Sequence, residues 1–456
     1  MLPCSACRTV TSRLYCGAFE RDADLLEFLT PHLQPAAVSL RLQVRDFLAV
    51  ELDAGHWTPQ SNCWMQYDAA FSKRCGQAGF IGLTLPREYG GHGRGAPERL
   101  AVLEEMLAAG APVGLHWIAD QQSGPQIARH GSEEMRRLVL PRISAGECCI
   151  GIGMSEPDAG SNLAAVRSRG ILVDGGWRLT GSKLWTSHAH RAQYIIALVR
   201  TEAQQEQQRH AGLTQFLIDM RSAGVTTSPI TDLTGQQDFN EVLLDDVFVA
   251  DACLIGKPGD GWKLVNAELA FERSGPERFM STVVLLEAAA TQLGYGAGVG
   301  ASTSAEAAIA IGRLVSHLVT LRYMSGAIAG LLDRGASPDM EAALVKDLGG
   351  MFEREIPEVV RQLIDIEGAA SSAVRTLQDA SVLSAPSFTL RGGTREILRG
   401  IVAKRLRSPR TWPTVWWSIL PSGCFAIMRM SRACARQRRS AKRSGRPSST
   451  AGWPCC

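Results

Sequence analysis

No uninterrupted apolar run in the sequence reaches the roughly 18 residues that a transmembrane helix needs, so we expect no membrane span. The sequence also lacks the Cys/His pattern that is typical of a zinc site. Cys4 and Cys7 have the spacing of a zinc-binding pair, but no second Cys/His pair follows at the distance that a zinc site requires. Acidic residues are missing from residues 411–456, which hold eight Lys and Arg; because the whole chain carries +3, residues 1–410 carry −5. A mildly acidic body argues against nucleic acid as its partner.

The chain has the length of several domains. Its 456 residues exceed what one hydrophobic core supports, and 45% hydrophobic with 20% charged residues is typical of globular proteins. Helical spacing dominates residues 39–149, short apolar runs between turn residues dominate 150–255, and helical spacing returns over 256–410. We predict three domains with these bounds. Residues 1–38 are predicted to be an N-terminal extension and residues 411–456 a disordered basic tail without an evolved role.

The most informative stretches are residues 150–162, IGIGMSEPDAGSN, and residues 175–194, GGWRLTGSKLWTSHAHRAQY. A short apolar run that stops in Ser, Pro and Gly is typical of a strand that enters a loop. Alternating apolar and polar residues around Trp177 and Trp185 favour half-buried strands. Glycines and small hydroxyl residues let backbone N–H groups approach an anionic or heteroaromatic ligand closely. A plain β-turn without a ligand is the alternative interpretation of either stretch alone.

Three further stretches accompany these two. They are GFIGLTLPREYGG at residues 79–91, LIGKPGDGW at 254–262 and LRGGTREILR at 390–399. In order and spacing, the stretches together resemble the motifs of the acyl-CoA dehydrogenase family. The resemblance covers residues 40–410 and implies an α+β fold with an N-terminal α-helical domain, a central β-barrel-like domain and a C-terminal four-helix bundle. It also implies FAD as cofactor and an acyl-CoA as substrate.

The reaction that the resemblance implies is the dehydrogenation of an acyl-CoA to the 2-enoyl-CoA. A carboxylate takes the α-proton while the β-hydrogen leaves as hydride to flavin N5. Because the α C–H is a very weak acid, this carboxylate needs burial that raises its pKa. Family members carry it either directly before the Gly-Thr of the C-terminal turn or on the first long helix of the C-terminal domain. The first position is Gly392 here, so it offers no base.

Glu272 occupies the second position. The apolar stripe of its helix consists of residues three or four apart: Trp262, Val265 and Leu269. Glu272 continues this spacing and therefore falls on the buried face. Pro276 should interrupt the helix four residues later, because its ring clashes with the Glu272 carbonyl. The resemblance implies Glu272 as the catalytic base; an ion pair with Arg273 or Arg278, or a cap on the broken turn, is the alternative role.

The resemblance also assigns residues to the cofactor and to the rest of the substrate. The FAD-binding residues that it implies are Ile152, Met154, Ser155, Ser161, Trp185, Ser187, Thr394 and Glu396. Ser161, Arg273 and Gly392 are matched to the acyl-CoA, with Arg273 near the CoA tail. Asp365 departs from the family, because it places a negative charge where many members have a Gln-rich turn near a flavin, and we assign it no cofactor role.

Gly392 and Asp365 motivate a second hypothesis, a catalytically weak flavoprotein or scaffold subunit that pairs with a related chain. A flavin oxidase that passes electrons to oxygen is a third. For an active dehydrogenase, the resemblance implies an electron-transfer flavoprotein as electron acceptor, and a homodimer, a homotetramer or a heteromer with a related chain. We expect a cytoplasmic protein of bacterial type, or a mitochondrial matrix protein if residues 1–19, which lack acids, are a transit peptide.

Overall fold

The structure is a computed structural model that describes residues 35–203, 207–295 and 304–406. The described residues up to Ala403 belong to one compact unit. A second unit begins at Lys404, and only the last turn of a helix is described in it. The predicted basic tail and nearly all of the predicted N-terminal extension lie outside the described residues.

The first elements of the described chain are α-helices. They are α1 (Pro35–Asp53), α2 (Ala69–Gln77), α3 (Ala96–Ala108), α4 (Gly124–His130) and α5 (Glu133–Ser144). Side-chain caps fix two of their starts: Asp68 accepts a hydrogen bond from Phe71 N at 2.8 Å, and Ser132 accepts one from Met135 N at 3.0 Å. A π-helical turn, Ala119–Ser123, leads into α4.

A single sheet follows the helices. Its strands are β1 (Ile150–Gly153), β2 (Arg169–Val173), β3 (Gly176–Ser187), β4 (Tyr194–Arg200), β5 (Leu213–Asp219), β6 (Val225–Ile230), β7 (Phe239–Ala250) and β8 (Leu254–Ile255). The strand order is β6-β7-β3-β2-β4-β5-β8, and β1 pairs in parallel with β4 beside this path. The sheet ends at β6 and β8 and does not close within the described residues, so the domain predicted as barrel-like is an open sheet.

Helices return after the sheet. They are α6 (Gly261–Ser274), α7 (Val283–Gln292), α8 (Ala305–Asp333), α9 (Asp339–Leu363), α10 (Ser372–Phe388) and α11 (Arg395–Leu406). The central helix is α9, which packs against α6, α7, α8 and α10. The interruption predicted at Pro276 is present, because α6 ends at Ser274 and a 3-10 turn, Pro276–Arg278, follows. The predicted fold class, helices then sheet then helices, is confirmed.

One hydrophobic core joins the helices that precede the sheet to those that follow it. Trp117 from the first group and Phe279 and Leu314 from the second are buried in the same cluster, together with Ile150 of β1. Helix α6 contacts both β5 and the π-helical turn. Its buried face therefore lies where sheet and helices meet.

The described part of the chain contains neither a membrane-spanning helix nor a metal-binding group of side chains. No helix in the described part of the chain combines the length and apolar composition that crossing a bilayer requires. Nor do the described residues bring three or more His, Cys, Asp or Glu side chains together in a way that could hold a metal ion.

Candidate active site

The carboxylate of Glu272 lies in the protein interior near the end of α6. Its Oε1 forms an ion pair with Nη2 of Arg278, and Nε of Arg278 donates to the Glu272 carbonyl at 2.9 Å. The other oxygen, Oε2, is buried and has no hydrogen-bond partner among the described residues. Arg278, one of the two ion-pair partners that we considered for Glu272, thus holds one oxygen and leaves the second available.

Gly392 lies directly opposite this carboxylate. A Cβ atom on Gly392 would lie 2.8 Å from Glu272 Oε1 and 2.9 Å from Oε2, closer than real Cβ atoms approach other atoms. The residue also has φ +68°, which favours glycine. Arg273 is buried and its Nε donates to the Gly392 carbonyl at 2.9 Å, so Arg273 holds the turn against α6, and its predicted contact with the CoA tail stays a prediction. Positions 272 and 392, where family members carry the base, are therefore adjacent in the structure, although they are distant in sequence.

Two more buried carboxyl groups flank Glu272. Glu268 lies one turn earlier on α6, where burial, reinforced by the charge of Glu272, raises its pKa to about 8. Glu277 lies 3.3 Å from Arg278 Nε, and burial raises its pKa to about 7 while the Arg278 charge opposes the shift. Arg278 is therefore the cation that offsets the burial of negative charge at this point. Glu268 was missed from the sequence, although its spacing of four residues from Glu272 placed it on the same face.

We expect Glu268→Gln to make the protein more stable than the wild type near pH 8 and to change little near pH 5. The unfolded chain loses the Glu268 proton near pH 4.5, whereas the folded protein keeps it up to about pH 8. Between these values the unfolded state binds fewer protons, so wild-type stability falls as the pH rises. Glutamine cannot ionise, and the variant should avoid a loss on the order of a few kcal/mol.

Thermal unfolding of both proteins across this pH range measures the difference. Three other described acids also have a raised pKa, and all are present in both proteins and contribute equally: Asp120, Asp238 and Glu277. Glu367→Gln, at an exposed acid, is the control and should follow the wild-type curve. Parallel curves for wild type and Glu268→Gln would mean that folded Glu268 is already ionised.

Trp185 is the most unusual residue of the sheet. Its side chain is 55% exposed, and its φ of +63° is uncommon for a residue other than glycine. The irregularity between Lys183 and Thr186 in the pairing of β3 with β7 lies at this residue. Phe239 braces the indole edge-on at 6.0 Å between ring centroids. An exposed and braced indole is a surface on which a planar heteroaromatic group can stack, so this part of the chain fits a flavin.

Backbone contacts join the two predicted flavin-binding stretches. Leu184 N donates to the Ser155 carbonyl at 2.9 Å. A Cβ atom on Gly151 would lie 3.0 Å from the Ser187 carbonyl oxygen, so β1 and β3 approach closely there. The other predicted residues of this region are half-buried or exposed: Ile152, Met154 and Ser161. The structure therefore places β1 and the beginning of the loop after it against β3.

A buried ion pair beneath this region was missed from the sequence. Lys183 Nζ lies 2.7 Å from Glu156 Oε1 and donates to the Leu198 carbonyl at 2.5 Å. The Glu156 carboxylate also accepts hydrogen bonds from Arg167 N at 2.7 Å and Ser168 N at 3.0 Å. Burial lowers the pKa of Lys183 to about 8, while Glu156 opposes the shift. The pair fastens the loop after β1 to β3.

Thr394 and Glu396 form a separate group at the start of α11. Glu396 is exposed, and hydrogen bonds from its own backbone N–H and from the Thr394 side chain lower its pKa. No hydrogen bond or ion pair found within the described ranges links these two residues to Trp185 or its neighbours. The predicted FAD-binding residues thus fall into two groups within the chain.

Comparisons with known proteins agree with this architecture. Residues 35–147 match the acyl-CoA dehydrogenase N-terminal domain, and residues 151–247 match the acyl-CoA dehydrogenase middle domain. Acyl-CoA dehydrogenase IpdE1 of Mycobacterium tuberculosis is 32% identical over 346 residues, which cover 74% of this chain and 86% of that protein. These matches define an oxidoreductase of the acyl-CoA-oxidising class.

Two further relatives extend the comparison. Acyl-CoA dehydrogenase FadE34 of the same organism is 32% identical over 330 residues. The matched residues make up 71% of this chain but only 44% of FadE34, which is the longer protein. The solved ChsE4-ChsE5 complex from Mycobacterium tuberculosis superimposes with a TM-score of 0.67 at 25% identity, covering 84% of this chain and 99% of that one. The chain belongs to the acyl-CoA dehydrogenase family, so the predicted family and enzyme class are confirmed.

Proposed function

We propose that this protein catalyses the FAD-dependent α,β-dehydrogenation of an acyl-CoA thioester to the 2-enoyl-CoA, with Glu272 as the base. The observation that carries the proposal is the buried Glu272 carboxylate, whose Oε2 has no partner among the described residues and which faces a glycine. Because Gly392 has no side chain, the opposite side of the site offers no competing carboxylate, and Glu272 is the one of the two family positions that carries a base. FAD, when bound, supplies the acceptor for the β-hydrogen.

In this proposal the Glu272 side chain is oriented before the substrate arrives. Arg278 holds Oε1 and the backbone carbonyl of the same residue, so the carboxylate cannot rotate freely. Oε2 then takes the α-proton, and the electrons of the broken α C–H bond form the double bond as the β-hydrogen leaves with its own pair. Burial keeps bulk water away from the reacting carboxylate. The test is anaerobic titration with a panel of acyl-CoAs, which should bleach the flavin absorbance.

Each predicted cofactor residue has a part in this proposal. Trp185 offers its exposed indole to the flavin ring, and Thr394 and Glu396 contribute to the adenine side. We assign the other predicted FAD-binding residues to the flavin side of the cofactor with Trp185: Ile152, Met154, Ser155, Ser161 and Ser187.

We expect the purified chain to be yellow and to bind one FAD per subunit. Trp185→Ala should weaken FAD binding, because it removes the exposed ring that stacks on the cofactor. FAD content by absorbance, and FAD affinity by quenching of flavin fluorescence, measure this. Phe248→Ala is the matched control: Phe248 is 43% exposed on β7, and its loss should leave FAD bound. A folded, colourless chain that takes up no added FAD would contradict the proposal.

The electron acceptor and the assembly are further parts of the proposal. We propose an electron-transfer flavoprotein as acceptor, so reduced enzyme should react slowly with oxygen; rapid peroxide formation would favour the oxidase hypothesis instead. We also propose that the chain works as an oligomer of itself or with a related chain, as its similarity to the ChsE4-ChsE5 complex suggests. Light scattering on the purified chain, alone and with candidate partners, distinguishes these assemblies.

A further inference from the structure

At the end of β3 the backbone enters the left-handed region twice within four residues. Trp185 has a φ of +63° and His188 a φ of +52°, values that residues with a side chain rarely adopt. Such a conformation persists only where neighbouring groups hold it. His188 is held through its own backbone N–H, which donates to the Asp238 carbonyl at 2.7 Å. Trp185, whose indole we assign to the flavin, needs a comparable support.

The side chain of Asn240 on β7 contacts the backbone at this bulge. Asn240 lies opposite Thr186, directly after the irregularity in the pairing of β3 with β7. Its Nδ2 donates to the Thr186 carbonyl at 3.0 Å, which fixes the residue that follows Trp185. Phe239, the neighbour of Asn240 in the chain, packs edge-on against the indole. The first two residues of β7 thus hold both the backbone and the ring.

Asn240 is a polar residue at a core position of its strand. It is fully buried and shares its face of β7 with Val242 and Leu244, which belong to the apolar core of the sheet. An apolar side chain can fill such a position without hydrogen bonds, whereas a buried amide is tolerated only where its polar atoms are paired. Both polar atoms of Asn240 are paired, since Oδ1 lies 2.8 Å from His190 Nδ1.

His190 sets the direction of the Asn240 amide. An amide oxygen only accepts hydrogen bonds, so the His190 ring donates from Nδ1 to Asn240 Oδ1, and Nδ2 is left facing the Thr186 carbonyl. Aspartate at position 240 would keep the acceptor for His190 but lose the donor for Thr186. Leucine would lose both. The two substitutions can therefore separate the hydrogen bond to Thr186 from the one to His190.

We propose that Asn240 is a positioning residue for the cofactor: its hydrogen bond to the Thr186 carbonyl keeps the Trp185 backbone left-handed and the indole turned outward to stack on the flavin ring. This rests on the proposed function, because it assumes that FAD stacks on Trp185. Asn240 acts through Trp185 and does not touch the cofactor itself. A ring that is held in place before binding loses less freedom when the flavin arrives, so the benefit is tighter FAD binding. The competing explanation is that the hydrogen bond stabilises only the sheet.

A double-mutant cycle on FAD affinity tests the proposal. The four full-length proteins are the wild type, Asn240→Leu, Trp185→Ala and the chain with both changes, each titrated with FAD. We expect Asn240→Leu to raise the Kd for FAD by about tenfold in the wild type but by less than about twofold beside Trp185→Ala, since residues that act through one another are coupled. Asn240→Asp should weaken binding like Asn240→Leu, because it lacks the same donor. An equal increase in both backgrounds, or wild-type affinity in Asn240→Asp, would overturn the proposal.

The fluorescence of bound FAD gives a second measurement, which a loss of stability alone does not change. A stacked indole quenches flavin fluorescence, so bound FAD should be brighter in Asn240→Leu than in the wild type. Unchanged brightness would mean that the indole stacks as before, and the proposal fails.

Gln378→Leu is the matched control for both measurements. Gln378 of α10 is also a buried amide that donates to a backbone carbonyl, that of Pro357 at 2.9 Å. This variant should lower the unfolding temperature and leave the affinity and fluorescence of FAD at wild-type values. If Asn240→Leu does no more than that, its hydrogen bond serves only the sheet and the proposal is wrong.

The outcomes also separate this proposal from the proposed function. If none of the four proteins takes up FAD, both fail. If FAD binds with the expected coupling but no acyl-CoA reduces it, the dehydrogenase function fails and the role of Asn240 stands. If acyl-CoA reduces the flavin and the affinity shows no coupling between Asn240 and Trp185, the role of Asn240 fails and the function stands.

Discussion

Glu272→Gln is expected to slow flavin reduction by acyl-CoA by about 10²–10⁴-fold, the usual contribution of a positioned general base. The amide keeps the shape of the side chain and can still accept the hydrogen bond from Arg278. It cannot take the α-proton, so the step that breaks the α C–H bond loses its acceptor. FAD content and acyl-CoA affinity should stay at wild-type values, because neither depends on the charge of this one group. Anaerobic stopped-flow absorbance measures the rate, and equilibrium titration measures the binding.

The structure also indicates how the base can be moved from position 272 to position 392. A Cβ atom on Gly392 would lie 2.8 Å from Glu272 Oε1, so Gly392→Glu would force a full-length side chain at position 272 to move. Glu272→Ala removes this obstacle, whereas Glu272→Gln keeps it. We therefore expect Glu272→Ala with Gly392→Glu to recover part of the rate lost in Glu272→Ala. The recovery should be incomplete, because φ +68° strains any residue but glycine.

Other outcomes would change the assignment. Glu367→Gln alters an exposed acid and should reduce the flavin at the wild-type rate, which controls for the general loss of a carboxylate. Equal rates in wild type and Glu272→Gln would place the base elsewhere. If the wild type binds FAD but is not reduced by any acyl-CoA, the scaffold-subunit hypothesis becomes the better explanation of Gly392.

Glu156→Ala is expected to destabilise the protein by about 3 kcal/mol and to lower its FAD content. Removal of one member of a buried ion pair typically costs roughly 3–5 kcal/mol, because the other charge stays buried without a partner. The lower value applies here, because burial lowers the pKa of Lys183 to about 8, so the lysine left behind can lose its proton instead of staying charged and unpaired. The loop after β1 would also lose the acceptor for Arg167 N and Ser168 N. Chemical denaturation and FAD absorbance measure the two effects.

The same loop provides a matched control. Asp158 pairs with Arg167 at 3.0 Å, but both side chains are at least 70% exposed, so Asp158→Ala should cost less than about 1 kcal/mol. Adding Lys183→Met to Glu156→Gln should restore part of the stability, because it removes the buried charge that the first change leaves unpaired. If Glu156→Ala costs no more than Asp158→Ala, the buried pair does not hold the loop.

Much of this site follows from local patterns in the sequence. The spacing of Trp262, Val265 and Leu269 predicted that Glu272 lies on a buried helical face, and Pro276 predicted that the helix ends nearby. The alternation in β3 also predicted the burial of Lys183, which we did not infer. Lys183 is separated from Trp177 and Leu179 by an even number of residues along the strand, so it lies on the same face and is buried like them. Periodicity shows which way a side chain points, but it does not name the partner that makes burial of a charge tolerable.

Those partners were decided by the tertiary structure. The family motifs and the helix–sheet–helix order are local, since they depend on hydrogen bonding and side-chain spacing within short segments. By contrast, the meeting of Glu272 with Gly392 and the choice of Arg278 over Arg273 as ion-pair partner require residues distant in the chain to pack together. Whether the sheet closes into a barrel or ends at β6 and β8 is also decided by how distant strands pair. Such contacts depend on the relative placement of whole helices and strands, which the packing of the core determines and no short segment encodes.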